Sequence, residues 1–225
     1  MAIKLYYTGI SAPCRAVILT ARYLNIPLEL IKVDLLRREQ MREEFLAINP
    51  RHCVPTIDDD GFILWESRAI MQYFVNKYAP GNEIYIEDPV KRACIDRMLY
   101  FDCGVFAATH IKTLVPLLYE GKFPSDYEIN KNMENLRILD GILAKDGFVA
   151  GPTLTLPDIT MAAYASTMQV YDVDIFKFKN IARWFQALED VLPDFKEINE
   201  ENVKIYKQML ENGEFKILQA FKIKI

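Results

Sequence analysis

The sequence is short of several residue types that mark particular classes of protein. Its 225 residues include only 9 glycines, 11 prolines, 4 cysteines and 2 histidines. So little glycine and proline excludes a fibrous or low-complexity chain. No two cysteines form a C-x-x-C pair, and four in a chain of this length do not make a disulfide framework. We therefore expect a packed protein in a reducing compartment, with no metal site.

Positive charge is also scarce. The 27 lysines and arginines are outnumbered by 31 acidic residues, and the formal net charge is −4. Such a chain has no field to attract a nucleic-acid backbone or an anionic membrane. The first residues hold only a short apolar run, broken by Lys4, which is too short for a signal peptide or a membrane span. We expect a cytoplasmic protein that binds neither nucleic acid nor a membrane.

The first 80 residues combine strand and helix patterns. A strand at 3–7, a helix capped by Ser11 and a strand at 28–33 make a βαβ unit, so the two strands should be parallel. Three further elements follow: a short charged helix at 39–47, a hairpin at 54–65 and an amphipathic helix at 67–78.

From residue 89 onward only helical patterns occur. Thr155 and Asp158 form a capping box, in which a hydroxyl and an acid three residues later satisfy the first amides of a helix. The chain thus divides into an α/β domain at 1–80 and an all-α domain at 89–225. Five helices are expected in the second domain, at 89–120, 127–145, 156–170, 178–191 and 195–211.

Ser11-Ala-Pro-Cys14 occupies the turn between the first strand and the first helix. Amide N–H groups and the helix dipole favour a negative charge there. A cysteine at position 11 would complete a C-x-x-C redox site, but a hydroxyl stands there, so the chain supplies no thiolate at that position. The simpler interpretation is that Ser11 only caps the helix, an interaction of about 1 kcal/mol.

Four motifs carry a resemblance to a known family. They are Ser11-Ala-Pro-Cys-Arg15, Asn49-Pro-Arg-His-Cys-Val-Pro-Thr56, Trp65-Glu-Ser-Arg-Ala-Ile70 and Phe148-Val-Ala-Gly-Pro-Thr-Leu-Thr-Leu-Pro-Asp-Ile159. With them the sequence resembles the cytosolic glutathione transferases, specifically the insect delta and epsilon classes. The resemblance implies a thioredoxin-like N-terminal domain, an all-α C-terminal domain and a homodimer. The implied activity is detoxification by conjugation of glutathione to small hydrophobic electrophiles, and the same thiolate could also reduce a hydroperoxide.

Glutathione would bring the thiol that position 11 lacks. A free thiol has a pKa of about 8.5 and is mostly protonated at pH 7. Lowering that pKa by about two units requires about 2.7 kcal/mol, and one hydrogen bond to a charged acceptor contributes roughly 1.5–3 kcal/mol. Ser11 is therefore the expected catalytic residue, as a donor to sulfur and neither a nucleophile nor a base.

The resemblance also implies residues that bind the glycyl and cysteinyl parts of glutathione. His52 contacts the glycine end, and the Val54 backbone pairs with the cysteinyl part. Pro55 would be cis, which exposes those main-chain groups. Gln40 stands where delta enzymes often carry a histidine that touches the glycyl carboxylate, so glutathione is expected to bind somewhat more weakly.

The γ-glutamyl end is assigned to the start of the helix at 67–78. Ser67 would hold its carboxylate and Glu66 its ammonium group. By resemblance, Arg68 orients this subsite. Asp102 is assigned to the same region, because relatives place this residue near the glutathione site at the dimer interface.

The electrophile pocket is expected against the first long helix. Helical spacing places several of its residues on one face. Relatives line this wall with aromatics, whereas here only Tyr119 keeps a ring, so the resemblance implies a roomier, aliphatic pocket with one polar group, His110. The alternative is that this stripe belongs to the core. The pocket residues so assigned are Pro13, Leu36, Ala107, His110, Ile111, Leu114, Leu118 and Tyr119.

Several alternatives stay open. The fold could instead carry hydrophobic ligands without turnover, or act as a glutathione-dependent thiol oxidoreductase using Cys14. Cys14, Cys94 and Cys103 are expected to be buried, and Cys53 is the candidate reactive thiol. The tail at 213–225 could fold over the pocket, lie on a neighbouring molecule or be disordered. Neither the physiological electrophile nor the class, delta or epsilon, can be decided.

Overall fold

The structure is a computed structural model and describes residues 2–219. Its four strands are Ile3–Tyr7 (β1), Leu28–Lys32 (β2), Thr56–Asp59 (β3) and Phe62–Trp65 (β4). They form one sheet in the order β2-β1-β3-β4. The parallel pairing predicted for β1 and β2 is confirmed, whereas β1 with β3 and β3 with β4 are antiparallel.

Helices make up most of the rest of the chain. Three cover the first part, Ala12–Tyr23 (α1), Glu43–Ile48 (α2) and Ser67–Tyr78 (α3). The second part has helices and no strand among the residues described. Its helices are Pro89–Phe101 (α4), Ala107–Glu120 (α5), Asp126–Asp146 (α6), Leu156–Thr167 (α7), Lys179–Val191 (α8), Asn202–Glu211 (α9) and Lys216–Gln219 (α10).

Three of the predicted helices are less regular than expected. The one at 39–47 is split at Arg42, whose extended backbone (ψ 150°) separates a 3₁₀ turn from α2. The helical run at 89–120 is continuous but passes through a π-helical segment, Asp102–Phe106, between α4 and α5. A second π-helical segment, Glu197–Glu201, precedes α9. Such wide turns often mark functional places in helices.

α7 lies at the centre of the helical part. All of its residues are buried, as in a helix covered on every side. It packs on α1, which packs in turn on α3. The predicted capping box is confirmed, since Thr155 N and Oγ1 donate to Asp158 Oδ2 at 2.9 and 2.7 Å. The indole of Trp184 donates to the other oxygen of Asp158 at 2.9 Å, which ties α8 to the start of α7.

The run Pro89–Glu120 also passes a length-and-hydropathy test for crossing a membrane. An 18-residue window of this run has a mean hydropathy of 1.2, and 33% of that window is buried. Core helices of water-soluble proteins pass the same test, so this single run is weak evidence for a span.

Candidate active site

Several loop and helix ends meet at one edge of the sheet. Because β2 is parallel to β1, and β3 is antiparallel to both β1 and β4, the carboxyl ends of β1, β2 and β4 share an edge with the amino end of β3. The β1–α1 turn, the loop before β3 and the β4–α3 junction are therefore neighbours. Most residues expected to bind glutathione belong to these segments.

Ser11 is the N-cap of α1. Its backbone is extended (φ −81°, ψ 115°), and its Oγ accepts a long hydrogen bond of 3.4 Å from the N–H of Cys14. The hydroxyl also hydrogen-bonds the neutral thiol of Cys14 and slightly offsets the raised pKa of that group. A thiol is a weak acceptor, so a thiolate placed here would compete well for the hydroxyl proton. An anion at this hydroxyl would also face the N-terminus of α1.

The loop before β3 is shaped by a cis Val54–Pro55 bond, as expected. Asn49, fully buried, donates through Nδ2 to Cys53 O at 3.2 Å and to Thr56 Oγ1 at 2.8 Å, and so holds the loop together. No described residue hydrogen-bonds the N–H or C=O of Val54, so both groups can pair with an extended ligand. The motif at 49–56 did not indicate this bracing role of Asn49.

His52 and Gln40 lie outside the cavity described below. His52 is exposed, and its backbone has a positive φ of 47°. Gln40 lies in the 3₁₀ turn that follows β2, and its Oε1 is buried without a partner among residues 2–219. An unpaired buried amide oxygen is uncommon and points to a missing hydrogen-bond donor.

The β4–α3 junction contains a strained residue. Glu66 is exposed and has φ 70°, a left-handed conformation that is costly for a residue with a side chain. Ser67 follows as the first residue of α3 and is 4% exposed, and its Oγ has no partner among the residues described. The start of α3 thus offers a hydroxyl and free amides to a carboxylate, next to an acid that suits a cation.

Arg68 and Asp102 are paired with each other. Arg68 Nε and Nη2 both donate to Asp102 Oδ2, at 2.8 and 2.5 Å, and Thr160 Oγ1 donates to the same oxygen at 2.9 Å. Burial raises the pKa of Asp102 to about 6, against the lowering effect of Arg68. Asp102 is 0% exposed, so the expectation that it touches glutathione needs correction. It contacts Arg68, and through Arg68 the start of α3.

A cavity of about 190 Å³ lies beside Ser11, between the sheet-containing part and the helical part. Of the predicted pocket residues, only Ala107 does not line it. Ala107 is 2% exposed and belongs to the main core, one helical turn before His110. The predicted residues that do line it are Pro13, Leu36, His110, Ile111, Leu114, Leu118 and Tyr119. The lining residues that the sequence did not indicate are Thr8, Ile10, Ala12, Leu35, Tyr164, Thr167, Tyr206, Phe215 and Leu218.

The cavity wall is more aromatic than the aliphatic lining that we expected. Tyr164, Tyr206 and Phe215 add three rings to Tyr119, and the volume of about 190 Å³ is small beside the roughly 300–1,000 Å³ of common ligand pockets. The added rings come from α7, α9 and the tail. The residue pattern of α5 alone could not indicate them.

His110 is the polar group of this wall, as expected. It is 1% exposed, and its Nδ1 lies 2.8 Å from the hydroxyl of the buried Tyr171. Burial lowers the pKa of His110 to about 3, so the ring is neutral at physiological pH. Tyr171 has no other hydrogen-bond partner among the described residues, and a buried hydroxyl needs an acceptor. Tyr171 therefore donates to Nδ1, and Nε2 carries the ring proton.

The described part of the tail folds over the cavity. Phe215 and Leu218 are 3% and 6% exposed, pack against Val203 and Tyr206 of α9, and line the cavity. Of the three possibilities left open for 213–225, this is the one observed up to residue 219. The remainder of that segment lies outside the described residues.

The cysteines differ from one another. Cys14 is buried, and burial raises its pKa to about 11. Cys94 is half-buried and Cys103 is exposed, so the expectation of buried thiols is wrong for both. Cys53 is half-buried, and its Sγ accepts from Asn49 Nδ2 at 3.4 Å. In the part of the chain that is described, no three His, Cys, Asp or Glu side chains gather as a metal site would require.

Comparison with known proteins extends these observations. Residues 5–83 match the family model of the glutathione S-transferase N-terminal domain, and residues 106–190 match that of the C-terminal domain. Among solved structures, a delta-class glutathione transferase of Nilaparvata lugens is 39% identical, with 93% of this chain and 99% of that chain covered and a TM-score of 0.89.

Two further solved structures show the same likeness. Bombyx mori BmGSTD1 is 38% identical, over 92% of this chain and 97% of that chain, with a TM-score of 0.87. An epsilon-class enzyme of Musca domestica is 31% identical, over 93% and 97%, also with a TM-score of 0.87. The predicted architecture, a thioredoxin-like N-terminal part and a helical C-terminal part, is confirmed. The chain belongs to the glutathione transferase family and is a glutathione S-transferase.

Proposed function

We propose that this enzyme uses Ser11 to hold the sulfur of glutathione as a thiolate and presents it to an apolar electrophile in the cavity. The observation that carries the proposal is the place of Ser11: its hydroxyl lies at the N-terminus of α1 and on the cavity wall. The thiolate would form a C–S bond with the electrophile while the leaving group departs with its electron pair. The thiol proton would leave to solvent water, because Ser11 stabilises the thiolate by donating a hydrogen bond and does not itself accept the proton.

The tripeptide is proposed to lie along the shared sheet edge. The free N–H and C=O of Val54, exposed by cis Pro55, suit the cysteinyl backbone in the manner of an added strand. The amide and hydroxyl of Ser67 suit the γ-glutamyl carboxylate, and Glu66 suits its ammonium group. Gln40 and His52 would contact the glycyl end of glutathione. Arg68 and Asp102 would hold Ser67 in position.

The electrophile is proposed to occupy the cavity of about 190 Å³. Its aromatic and aliphatic lining favours small hydrophobic molecules. The buried imidazole of His110 lies on the wall of this cavity. Its Nε2–H can donate to a nitro, carbonyl or similar acceptor on the electrophile.

The geometry disfavours a thiol oxidoreductase. A reactive cysteine needs exposure and a lowered pKa, whereas Cys14 is buried and its pKa is raised to about 11. A carrier without turnover would share the cavity but would not need a hydroxyl at the N-terminus of α1.

We further propose that the enzyme works as a cytoplasmic homodimer that removes hydrophobic electrophiles. Residues 1–80 would form the glutathione-binding domain, and residues 89–225 the domain that supplies most of the electrophile site. One supporting relative is a silkworm enzyme, 29% identical, described as diazinon-metabolizing. Reduction of a hydroperoxide by the same thiolate is a second reaction to measure on the variants below.

The test is the pKa of the enzyme-bound glutathione thiol, followed by the ultraviolet absorbance of the thiolate as pH is varied. Ser11→Ala should raise this pKa by about one to two units and slow conjugation of a chlorinated nitroaromatic about 10- to 100-fold near pH 7. Ser11→Thr, which keeps a hydroxyl, should restore much of the rate. Ser125→Ala removes the N-cap serine of α6 and should leave the thiol pKa unchanged. An unaltered thiol pKa in Ser11→Ala would refute the proposal.

A further inference from the structure

Arg15 is a fully buried cation that forms no ion pair with any residue in 2–219. Its guanidinium makes six hydrogen bonds, all to neutral oxygens. The ion pairs within residues 2–219 all join other side chains. Burial lowers the pKa of Arg15 to about 10, so the group remains charged at physiological pH. Buried charges are normally paired with an opposite charge, and this one is not.

The guanidinium of Arg15 is hydrogen-bonded to the β1–α1 turn that carries Ser11. Arg15 Nη1 donates to the carbonyls of Gly9 and Ile10, at 3.2 and 3.1 Å, and these residues immediately precede Ser11. The guanidinium thus anchors the turn that carries the proposed donor. Its field also extends to the cavity wall, where it adds to the lowering of the pKa of His110.

The titratable groups that face Arg15 do not neutralise it. Burial raises the pKa of Cys14, Tyr164 and Tyr206, so these groups are neutral near pH 7. Two carboxylates, Asp194 and Glu197, border an outer groove that Arg15 also lines. Neither is bonded to Arg15, and Asp194 lies 3.5 Å from Arg22 instead.

Asn199 occupies the place where a counter-charge would fit. Its Oδ1 accepts from Arg15 Nε at 2.9 Å, while its Nδ2 is buried without a partner among the residues described. An aspartate here would replace the unpaired donor with a second acceptor and would neutralise the guanidinium, which favours folding. The asparagine leaves the positive charge intact.

We propose that Arg15, left unneutralised by Asn199, is a positioning residue whose charge helps to hold the glutathione sulfur as a thiolate. The inference rests on the proposed function of Ser11 and adds a second source of thiolate stabilisation. A unit charge about 10 Å away, at an effective dielectric constant of about 20, shifts a protonation equilibrium about tenfold. That shift is comparable to the effect of one hydrogen bond.

The experiment is Asn199→Asp in the full-length enzyme, which adds the missing acid and keeps the guanidinium. The pKa of bound glutathione should rise by about one unit, a tenfold loss of thiolate below that pKa. KM for glutathione should change little, and the thermal midpoint should be equal or higher. Asn135→Asp is the matched control, because Asn135 also has a buried, unpartnered Nδ2 among the residues described. It should leave the thiol pKa unchanged.

A thiol pKa in Asn199→Asp equal to that of the wild type overturns the inference and leaves Arg15 a structural residue. Should this variant fail to fold, Arg15→Lys and Arg15→Gln decide the matter, since only lysine keeps the charge. We expect a low thiol pKa with lysine and a raised one with glutamine, and equal values contradict us. Failure of the proposed function is distinguishable, because Ser11→Ala would then leave the thiol pKa unaltered.

Discussion

The two capping boxes of the helical part should differ greatly in their importance for stability. In the buried box at the start of α7, Asp158 accepts four hydrogen bonds, two from Thr155, one from a backbone amide and one from the Trp184 indole. In the exposed box at the start of α6, Glu128 accepts only from the amide and hydroxyl of Ser125. The two boxes share the same motif and differ in whether the accepting carboxylate is buried or exposed.

The expected losses follow from the number of donors left without a partner. Asp158→Ala leaves four buried donors without an acceptor, at a cost of about 1–3 kcal/mol each. The free energy of unfolding should therefore fall by at least about 4 kcal/mol, against a typical total of about 5–15 kcal/mol. Asp158→Asn keeps an acceptor for two of them and should lose about 2–4 kcal/mol. Glu128→Ala should lose only about 0.5–1 kcal/mol, because water replaces the exposed carboxylate.

Urea unfolding followed by tryptophan fluorescence measures these differences, with all variants at one protein concentration. The slope of the free energy with urea should be unchanged. A loss for Asp158→Ala no larger than that for Glu128→Ala would show that the buried hydrogen bonds do not carry the stability assigned to them.

Three predictions concern the site. Because burial raises the pKa of Cys14 to about 11, a thiol reagent at about pH 8 should label exposed Cys103 and spare Cys14 until the protein unfolds, as peptide mass spectrometry can check. Loss of conjugation in Cys14→Ala would support the thiol oxidoreductase instead. His110→Phe should raise KM about 2- to 10-fold for electrophiles that carry a hydrogen-bond acceptor and little for those without one; an equal rise for both would indicate a packing effect. Phe215→Ala removes a ring from the cavity wall, so KM for small apolar electrophiles should rise while KM for glutathione stays the same. A change in both would place Phe215 outside the proposed role.

Features set by neighbouring residues were predictable from the sequence. Apolar periodicity located α3, turn chemistry located the hairpin, and the hydroxyl–acid spacing located the box at Thr155 and Asp158. The βαβ order indicated the parallel pair. Each of these depends on short-range geometry, which spacing along the chain records directly.

Features set by distant segments were not predictable in this way. Helical spacing placed Ala107 on the pocket face, but the core covers it. Tyr206 and Phe215 reach the cavity from elements about 100 residues away from α5. The burial of Asp102 depends on its partner Arg68 and on Thr160 of α7. Such contacts depend on how whole elements pack, which no local pattern reports.

The most direct test of the central claim is the distance between Ser11 Oγ and the glutathione sulfur in a crystal structure of the complex. Our account predicts a hydrogen bond between these two atoms, with the γ-glutamyl carboxylate at the N-terminus of α3. A sulfur beyond the reach of Ser11 Oγ, held by some other donor, would contradict it.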